Sequence, residues 1–430
     1  MKLNTPLTLS AKHNHLKILV CSVNFSPEPT GIGKYSGEMA AWLAGRGHEV
    51  RAVVAPPYYP QWKIEPGYRR PFYRREKWRG VDVWRAPLWV PQSPTGLTRV
   101  LHLLSFAISS FPLMLRQIFW RPQLVITVAP AFVCAPGALL TARLSGAHAW
   151  LHVQDFEVDI AFRMNLLKGS LLRRLILRME RSVLHRFDTV STISGRMVER
   201  LLEKGVEEAR IRYFPNWVDI AYIRPSVTTG TAYRRQMDIP ANAIVALFSG
   251  TLGGKQGLMV IPEAANLLQH RQDIVFVICG DGMMKPELEA ANAVLPNLRL
   301  LPLQPFERLS ELLCMADIQL LPQSVDAADL VLPSKLSGML ASGRPVIATC
   351  MPGTEVHSVV SQCGLVVPPQ NAAALAQAVC SLADDAATRL ELGRKARLFA
   401  ETNFEQDQIL GRVFGPLESG AETVSGDAIA

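Results

Sequence analysis

The sequence predicts an α/β protein made of two consecutive domains. At 430 residues the chain is long enough for two separate hydrophobic cores. Short apolar runs of strand length alternate with helical segments in both halves, as in parallel sheets covered on both faces. A polar stretch at 225–231 is suited to an interdomain linker. We therefore expect one domain at 16–222 and a second at 232–400, with a flexible extension at 1–15 and a C-terminal helix and flexible tail at 401–430.

The predicted strands are short, continuous apolar runs. In the first half they lie at 16–23, 50–54, 124–128, 149–153 and 189–193. In the second half they lie at 243–249, 274–279, 298–301, 318–321, 346–348 and 364–367. Continuous rather than alternating apolar residues indicate strands buried on both faces, which is typical of parallel sheets.

A glycine-rich loop follows the first strand and precedes a helix predicted at 35–46. Gly31, Gly33 and Gly37 do not have the G-x-G-x-x-G spacing of a dinucleotide site, and Lys34 is not followed by the Ser or Thr of a P-loop. The loop therefore argues against a nicotinamide-dependent or ATP-dependent enzyme. Its glycines can still bring backbone N–H groups close to a ligand, or they can simply begin the helix.

Residues 55–95 are predicted to be irregular, with many prolines and with basic and aromatic side chains interleaved. The candidates for ligand contact in this segment are Arg69, Arg70, Arg74, Arg75 and Trp78. Such a segment can stack bases and bind phosphates, and it equally suits lipid headgroups or a lipid pyrophosphate. A solvated loop with ordinary arginines is the third possibility. Because the sequence has no nucleic-acid-binding motif, we expect a membrane surface and no nucleic acid as partner.

The first half of the chain is basic and the second half is acidic. Residues 1–225 carry 31 Lys and Arg against 16 Asp and Glu, and residues 226–430 carry 14 against 21, giving +15 and −7. A basic first half predicts an anionic partner. The uncharged run 100–115 contains a proline and is too short to span a membrane, so it predicts a buried or interfacial helix. Residues 166–187 predict a basic amphipathic helix.

Cysteine usage and the N-terminal residues bear on the compartment. The seven cysteines are scattered through apolar runs without a C-x-x-C pair, which is typical of core residues in a reducing compartment and offers no metal site. The first 15 residues lack the apolar stretch of a signal peptide. We expect a cytoplasmic protein that associates peripherally with the inner face of the cytoplasmic membrane.

Polar side chains end the strand predicted at 149–153. His152 lies near its end, and Asp155 comes shortly after it. The carboxyl ends of central parallel strands are where α/β proteins bind ligands. Both residues are therefore candidates for contact with a substrate. The alternative for His152 is a hydrogen-bonded residue of the core.

The second half contains a stretch suited to a phosphate, PSKLSGMLASGRPVIAT at 333–349. Pro333 is well placed as the first helical residue, and Gly343 is well placed to end the helix. Ser334 and Lys335 then fall in the first turn. A helix N-terminus with a lysine in its first turn favours a bound phosphate. An ordinary helix–strand unit without a ligand has the same pattern.

Several ordered motifs resemble those of family 4 glycosyltransferases, which have the GT-B fold. The stretch above is similar to the family's P-S-K-(L/I)-x-E-x-M-A-x-G-x-P-V-I segment, and the first glycine loop is similar to its P-E-x-x-G-(I/G)-G loop. Two glycine loops of the second half, GTLGGKQG at 250–257 and CGDG at 279–282, resemble its motifs near the donor diphosphate and base. The chain departs from the family at Gly338, which replaces a ribose-binding glutamate, and at Thr251, which replaces an arginine.

The resemblance implies two Rossmann-like domains that face each other across a cleft, and transfer of a sugar from a nucleotide-sugar donor. The implied donor-binding residues are Gly31, Gly33, Gly250, Lys255, Gly280, Asp281, Gly282, Ser334 and Lys335. The implied catalytic residues are His152 and Asp155 on the acceptor side and Lys255 at the diphosphate. Transfer is expected to retain the anomeric configuration without a protein nucleophile, a metal or a cofactor, since the nucleotide-sugar is a substrate.

Within the family, the chain resembles the glycosyltransferases of colanic-acid and exopolysaccharide biosynthesis. The runs FSPEPTGIGKYSGEMAAWLAGRGHEV and LHVQDFEVDIA and the helix without glutamate carry this similarity. It implies GDP-fucose as donor and a lipid-pyrophosphate-linked saccharide as acceptor. One alternative is a nucleotide-sugar epimerase on the same fold, which the basic and apolar first half disfavours. The other is a non-catalytic nucleic-acid-binding protein, which only the arginine-rich segment favours.

Overall fold

The computed structural model describes most of the chain. The described residues are 15–70, 72–92, 96–129, 132–156, 170–325 and 333–418. The predictions of a flexible extension before residue 15 and of a flexible tail after residue 418 lie outside them. All seven cysteines lie within them, six buried and one partly exposed, and none forms a disulfide.

The chain divides into two compact units. The first comprises the residues up to Pro215 together with those from Leu410 onward, and the second is Asn216–Ile409. This boundary precedes the one expected at residue 222. The reason is local, because the backbone N–H of Val218 donates to the carbonyl of Phe404 at 2.7 Å. The chain has therefore already joined the second unit at that point.

The first unit is built on an eight-stranded sheet with the order β3-β4-β2-β1-β5-β6-β7-β8. Its strands are β1 Lys17–Ser22, β2 Glu49–Val54, β3 Arg74–Trp78, β4 Val81–Arg85, β5 Leu124–Ala129, β6 His148–Val153, β7 Thr189–Thr192 and β8 Ile211–Tyr213. All neighbouring strands are parallel except β3 and β4. The central strands are almost wholly buried, which confirms the parallel sheet expected from continuous apolar runs.

The prediction that residues 55–95 are irregular is wrong for the hairpin formed by β3 and β4. Arg79 and Gly80 both have positive φ, at 44° and 83°, and form its two-residue turn. Strand β4 pairs with β2 in parallel and buries Val81 and Val83 completely. The hairpin therefore extends the sheet.

Helices cover both faces of the first sheet. They are α1 Gly31–Gly45, α2 Gly96–Ile118, α3 Ala135–Ser145, α4 Ser170–Leu184 and α5 Gly195–Glu203. Helix α1 begins four residues earlier than the predicted 35–46, so the glycines of the loop form its first turn. The described part of the basic amphipathic helix expected at 166–187 is α4. The run 100–115 lies within α2, whose 23 residues make it long and apolar enough to cross a membrane by length and composition alone.

The second unit is built on a six-stranded parallel sheet with the order β11-β10-β9-β12-β13-β14. Its strands are β9 Ile244–Ser249, β10 Ile274–Cys279, β11 Leu298–Leu301, β12 Ile318–Pro322, β13 Val346–Thr349 and β14 Gly364–Val367. Each matches a predicted strand to within one residue. Apolar side chains from both faces of the sheet pack under the helices in two buried clusters.

The remaining helices complete the chain. They are α6 Val227–Gln236, α7 Val260–Leu267, α8 Lys285–Val294, α9 Leu309–Met315, α10 Ser334–Ala341, α11 Glu355–Val360, α12 Ala372–Asp384, α13 Ala386–Asn403 and α14 Gln406–Glu418. The linker predicted at 225–231 is largely the capped start of α6, in which Ser226 accepts a hydrogen bond from the N–H of Thr229. Helix α14 passes into the first unit, where Phe414 packs against Trp42, Trp150 and Phe214.

Candidate functional site

Two glycine loops meet at the carboxyl edge of the second sheet. The loop after β9 and the loop after β10 are joined by backbone hydrogen bonds, from Gly250 N to Cys279 O and from Leu252 N to Asp281 O, both at 2.9 Å. The N–H of Met284 donates in turn to Leu252 O at 2.9 Å. This edge is where ligands bind in parallel α/β sheets.

The glycines of these loops are required by close packing of backbone on backbone. A Cβ at Gly280 would overlap the carbonyl oxygen of Gly250, and a Cβ at Gly282 would overlap that of Leu252. Gly250 and Gly282 also have positive φ, at 143° and 151°. A side chain at Gly280 or Gly282 would separate the loops, and one at Gly250 would meet the amine of Lys335 in a backbone conformation that favours glycine.

Lys335 places a buried amine beside the same loops. Its Nζ lies 4.2 Å from the ring centroid of Phe248, and a Cβ at Gly250 would come within 2.9 Å of it. Among the described residues this Nζ has no hydrogen-bond partner. Burial lowers the pKa of Lys335 to about 8. A buried cation without a counter-ion is costly, which favours an anionic ligand at this point.

The helix that carries Lys335 starts close to the prediction. Helix α10 begins at Ser334. Pro333 occupies the N-cap position just before it, so it is not the first helical residue as expected. Gly343 has the positive φ expected of a helix-ending glycine, 67°. The backbone N–H groups at the start of α10 and the amine of Lys335 therefore belong to one turn of chain.

Asp281 and Lys255, two other predicted donor residues, both lie in the glycine loops of the second unit. Asp281 is exposed, and its Oδ1 accepts a hydrogen bond from Gly282 N at 3.0 Å, so the carboxylate supports its own turn. Lys255 lies in the loop after β9, and only its backbone is among the described residues. At Gly338 a Cβ would lie 3.5 Å from Ile223 and 3.6 Å from Leu313, so this position faces apolar side chains.

The glycine turn of the first unit lies against a buried carboxylate that the sequence did not reveal as a candidate. A Cβ at Gly33 would overlap Oε2 of Glu28. Glu28 accepts hydrogen bonds from Asn24 Nδ2 at 2.9 Å and from the N–H groups of Tyr58 and Tyr59 at 3.1 Å. Burial, opposed by these bonds, raises the pKa of Glu28 to about 7. Gly31 begins α1 with φ 63°.

His152 is a hydrogen-bonded residue of the core, with 3% of its surface exposed. Its Nδ1 lies 2.8 Å from Ser191 Oγ, and its Nε2 lies 3.0 Å from Gln154 Nε2. Burial lowers the pKa of His152 to about 3, so the ring is neutral at physiological pH. This geometry matches the core alternative that the sequence left open, since both ring nitrogens already have partners.

Asp155 and Tyr59 both follow parallel strands at the carboxyl edge of the first sheet, Asp155 after β6 and Tyr59 after β2. Burial raises the pKa of Tyr59, and the negative charges of Asp155 and Glu28 raise it further. A Cβ at Gly31 would lie 3.6 Å from the Tyr59 ring. The glycine turn thus lies against a tyrosine that the sequence did not single out, at the same edge of the sheet as the predicted Asp155.

The arginine-rich segment is largely self-paired. Arg75 forms two hydrogen bonds with the carboxylate of Asp82, at 2.8 and 2.7 Å, and Arg74 lies 3.1 Å from Glu76. Trp78 packs edge-on against Phe25, with ring centroids 5.8 Å apart. Arg69 and Arg70 are exposed. Each carboxylate is shared with a further arginine, Glu76 with Arg85 and Asp82 with Arg51. The pairing therefore orders Arg74 and Arg75 without cancelling the positive charge.

The described residues contain no group of three or more His, Cys, Asp or Glu side chains that could hold a metal ion. Every group that the sequence proposed for a ligand is a backbone N–H, a lysine, an arginine, an isolated carboxylate, a hydroxyl, a tryptophan or a buried neutral histidine. These are groups that bind anions and sugars through hydrogen bonds and charge.

Comparison with known proteins identifies both halves. Residues 30–217 match the Glycosyl transferase 4-like domain, and residues 243–385 match Glycosyl transferases group 1. WcaI of Escherichia coli strain K12, provisionally named a colanic acid biosynthesis glycosyl transferase, is 46% identical over 347 residues. The match covers 79% of this chain and 85% of WcaI.

Solved structures of the same fold cover nearly the whole chain. Sucrose-phosphate synthase from Thermosynechococcus elongatus has a TM-score of 0.69 at 17% identity, covering 94% of this chain and all of that one. HepE of Anabaena, solved with UDP and glucose, has a TM-score of 0.67 at 15% identity, with the same coverage. At this identity the likeness concerns the fold, and it confirms the predicted fold class. The chain therefore belongs to the group 1, family 4 glycosyltransferases and has the GT-B fold.

Proposed function

We propose that this glycosyltransferase moves a sugar from a nucleotide-sugar donor to a saccharide precursor of a colanic-acid-like exopolysaccharide, with retention of the anomeric configuration. The observation that carries the proposal is the buried amine of Lys335, which has no partner among the described residues and lies beside interlocked glycine loops. The name of WcaI supports the exopolysaccharide pathway.

The donor chemistry needs positive charge more than it needs an acid. A nucleoside diphosphate is a good leaving group, so no carboxylic acid has to protonate it, in contrast to glycosidases. Negative charge develops on the diphosphate as the glycosidic bond breaks. Lys335, the N–H groups at Ser334 and the N–H groups of the loop at Gly250 supply preorganised stabilisation for that charge. We assign the same role to Lys255.

The acceptor chemistry needs a hydroxyl held close to the anomeric carbon. Asp155 is the carboxylate at the carboxyl edge of the first sheet that we assign to this hydroxyl. His152 is neutral and engaged by Ser191 and Gln154, so we assign it to supporting that edge. The proposed reaction uses no metal and no cofactor, because lysines and backbone N–H groups take the place of a divalent cation at the diphosphate.

GDP-fucose is the donor that we propose. The proposal follows from the resemblance to exopolysaccharide glycosyltransferases and from the missing glutamate at Gly338, which sets this site apart from the commoner family pattern. The apolar surroundings of Gly338 leave the ribose without a carboxylate from that position.

Calorimetric titration of the purified protein with GDP, UDP and ADP at fixed salt tests this assignment. We expect GDP to bind with clear preference, and we expect the same affinity in the presence of EDTA. Preference for UDP would overturn the fucose assignment while keeping nucleotide-sugar transfer. No binding of any nucleotide would overturn the donor site, and loss of GDP binding on adding EDTA would overturn metal independence.

The acceptor is proposed to be lipid-pyrophosphate-linked and to be reached at the inner face of the cytoplasmic membrane. Helix α2 exposes an apolar stripe at helical spacing, formed by Leu97, Leu101, Leu104, Ile108 and Phe111. Its buried face carries Phe106, Leu113 and Met114 together with His102, Ser110 and Gln117, so the helix has apolar side chains on both faces. Such a stripe on a soluble unit is typical of an interface with lipid or protein.

The surroundings of the stripe favour lipid. Helix α3 packs beside α2 and exposes Leu140 and Leu144, and the exposed basic side chains Arg99, Arg116, Arg121 and Arg143 lie along the two helices and at their ends. Apolar residues bordered by basic ones match a bilayer surface that contains anionic lipids.

Vesicle flotation tests the membrane proposal with a matched pair of variants. Ile108 is 73% exposed in α2 of the first unit, and Leu390 is 70% exposed in α13 of the second unit. We expect Ile108→Glu to weaken binding to phosphatidylglycerol-containing vesicles about tenfold or more, because an apolar contact is replaced by a charge. Leu390→Glu should bind as the wild type does. Equal binding by all three proteins would overturn α2 as the lipid-binding face.

A further inference from the structure

Glu28 is a buried carboxylate that joins two loops at the carboxyl edge of the first sheet. Its Oε1 accepts hydrogen bonds from the N–H groups of Tyr58 and Tyr59, and its Oε2 accepts one from Asn24. The first turn of α1 lies directly on it, because a Cβ at Gly33 would overlap Oε2. Glu28 therefore fixes the tyrosine loop relative to the glycine turn.

Tyr59 is the side chain that this arrangement presents to solvent. It is 37% exposed, whereas Tyr58 is buried. The backbone around the two tyrosines is held by further hydrogen bonds, from Lys63 N to Tyr58 O at 3.1 Å and from Glu65 N to Pro57 O at 3.0 Å. The ring is thus carried by a fixed loop.

A fixed, exposed aromatic ring beside a carboxylate suits a saccharide. The C–H groups on one face of a pyranose pack on an aromatic ring, and its hydroxyls donate to a carboxylate. Asp155 follows β6 at the same carboxyl edge of the sheet and provides a carboxylate there. The glycine turn contacts the ring as well, since a Cβ at Gly31 would lie 3.6 Å from it.

We propose that Glu28 is a positioning residue for the acceptor, and that Tyr59, whose loop it holds, and Asp155, at the same carboxyl edge of the sheet, bind the terminal sugar of the acceptor saccharide. The ring of Tyr59 packs against the sugar, and Asp155 accepts a hydrogen bond from one of its hydroxyls. Glu28 acts through Tyr59 and does not touch the substrate. The inference rests on the proposed glycosyl transfer and names the part of that site that recognises the acceptor.

The charged and titratable groups around Glu28 come from several elements. Arg85 of β4 is its nearby cation, and Arg85 is itself paired with Glu76 of β3 at 2.6 Å. Tyr59 adjoins it in the tyrosine loop, and the charges of Glu28 and Asp155 both raise the pKa of that tyrosine. Burial outweighs these favourable contacts, so the carboxyl titrates close to neutral pH. Its ionised form holds the two amides more strongly, because hydrogen bonds to a charged acceptor are stronger than those to a neutral one.

Hydrogen exchange of the Tyr58 and Tyr59 amides tests, without any substrate, whether Glu28 holds the tyrosine loop in place. After correction for intrinsic exchange, we expect protection of both amides in the wild type to rise about tenfold as pH rises through 7. Glu28→Gln keeps the shape but not the charge, so protection should lose this pH dependence. Glu38→Gln, a change at another glutamate of the first unit, is the control and should leave both amides unchanged.

Steady-state kinetics tests whether Tyr59 and Glu28 contribute to acceptor binding. The donor is GDP-fucose, and the acceptor probe is a short-chain prenyl-pyrophosphate-linked hexose. We expect Tyr59→Ala and Glu28→Gln to raise KM for the acceptor about tenfold while KM for the donor stays within twofold. Tyr59→Phe should keep most of the activity, since the ring remains. The pH dependence of the acceptor KM should disappear in Glu28→Gln.

The outcomes separate this proposal from the proposed function. If the wild type binds no nucleotide and transfers no sugar, the proposed function fails, and the exchange experiment still decides whether Glu28 fixes the tyrosine loop. If the wild type transfers sugar but Tyr59→Ala and Glu28→Gln keep the wild-type acceptor KM, the saccharide-binding role of Tyr59 is wrong. Unchanged protection in Glu28→Gln would overturn the positioning role.

Discussion

The carboxyl edges of the two sheets differ in the groups that form them, which are mainly backbone atoms in the second unit and mainly side chains in the first. In the second unit the edge is backbone, because Gly250, Gly280 and Gly282 let two loops lie against each other, and Lys335 adds one buried charge. In the first unit the edge is a network of side chains around Glu28. Backbone and a cation suffice for a diphosphate, which is common to nucleotide-sugar donors. A particular acceptor sugar requires particular side chains.

The charges of the two halves sharpen the comparison. The second unit, residues 216–409, carries 14 Lys and Arg against 19 Asp and Glu, a net −5, so it has no general attraction for an anion. Its attraction for a diphosphate has to be local, and a desolvated lysine provides strong local charge. Residues 1–225 carry a net +15, and four exposed arginines lie along or at the ends of α2 and α3, where apolar side chains are exposed. That distribution suits a broad anionic surface better than a single phosphate.

The largest effect is expected from Gly280→Ala. The new Cβ would overlap the carbonyl of Gly250, so the two loops must separate. We expect donor-nucleotide binding to be lost in calorimetry and the free energy of unfolding to fall by about 1–3 kcal/mol in urea denaturation.

Gly254→Ala is the matched control for this change. It lies in the same loop region, and a Cβ there would meet no atom within 4 Å. It should bind nucleotide and unfold as the wild type does. If Gly280→Ala behaves like this control, the second edge does not depend on close backbone packing.

The next effect is expected from Lys335→Met, which removes the cation and keeps an unbranched side chain. Turnover should fall about 10²-fold, as when one preorganised charge-stabilising donor is removed. Stability at pH 7 should rise by about 1–3 kcal/mol, because an unpaired charge no longer has to be buried. The exposed Lys395→Met, on α13, is the control for both measurements. A less stable Lys335→Met protein with full turnover would contradict the assignment.

The lowered pKa of Lys335 predicts that both stability and GDP affinity depend on pH. The pKa is about 8 in the folded protein and 10.5 for the free side chain, so the unfolded chain binds more protons between these values. Stability should therefore rise with pH through this window in the wild type and lose this contribution in Lys335→Met. Affinity for GDP should fall about fivefold between pH 8 and 9, as the unliganded amine loses its proton. A flat affinity over this range would place the diphosphate elsewhere.

Much of the fold followed from local sequence. Buried parallel strands are apolar along their whole length, and β10, β11 and β14 match their predicted residues. The strands that were missed lie at or next to sheet edges. Strand β3 reads RREKW and β8 has only three residues, so neither has the apolar run by which a central strand is found.

The candidate site followed from sequence only where it is made of chain neighbours. The glycine loops and the PSK helix are local motifs, and the structure brings Gly250 and Lys335 together as the motifs suggested. The contacts of Glu28 with Tyr58 and Tyr59 join residues that lie 30 and 31 positions apart. Nothing near Glu28 in the sequence indicates them, because the sheet order creates them by placing β2 beside β1.

The smallest effect is expected from Gly33→Ala. This variant distinguishes the roles of the two edges most directly, because it should change acceptor binding and leave donor binding unchanged. The new methyl group would overlap the Glu28 carboxylate, and a buried, hydrogen-bonded carboxylate can shift only by breaking bonds to Asn24 or the tyrosine loop. We expect the acceptor KM to rise a few-fold to about tenfold. Donor-nucleotide affinity should stay unchanged in calorimetry, because the donor-binding groups that we assign to the second unit are untouched.

Gly45→Ala is the control. It lies at the other end of α1 with no atom within 4 Å of its Cβ, and it should leave both the acceptor KM and the donor affinity unchanged. A loss of donor affinity in Gly33→Ala alone would show that the glycine turn serves the diphosphate, as the family resemblance implies for Gly31 and Gly33. The division of labour between a backbone edge and a side-chain edge would then be wrong.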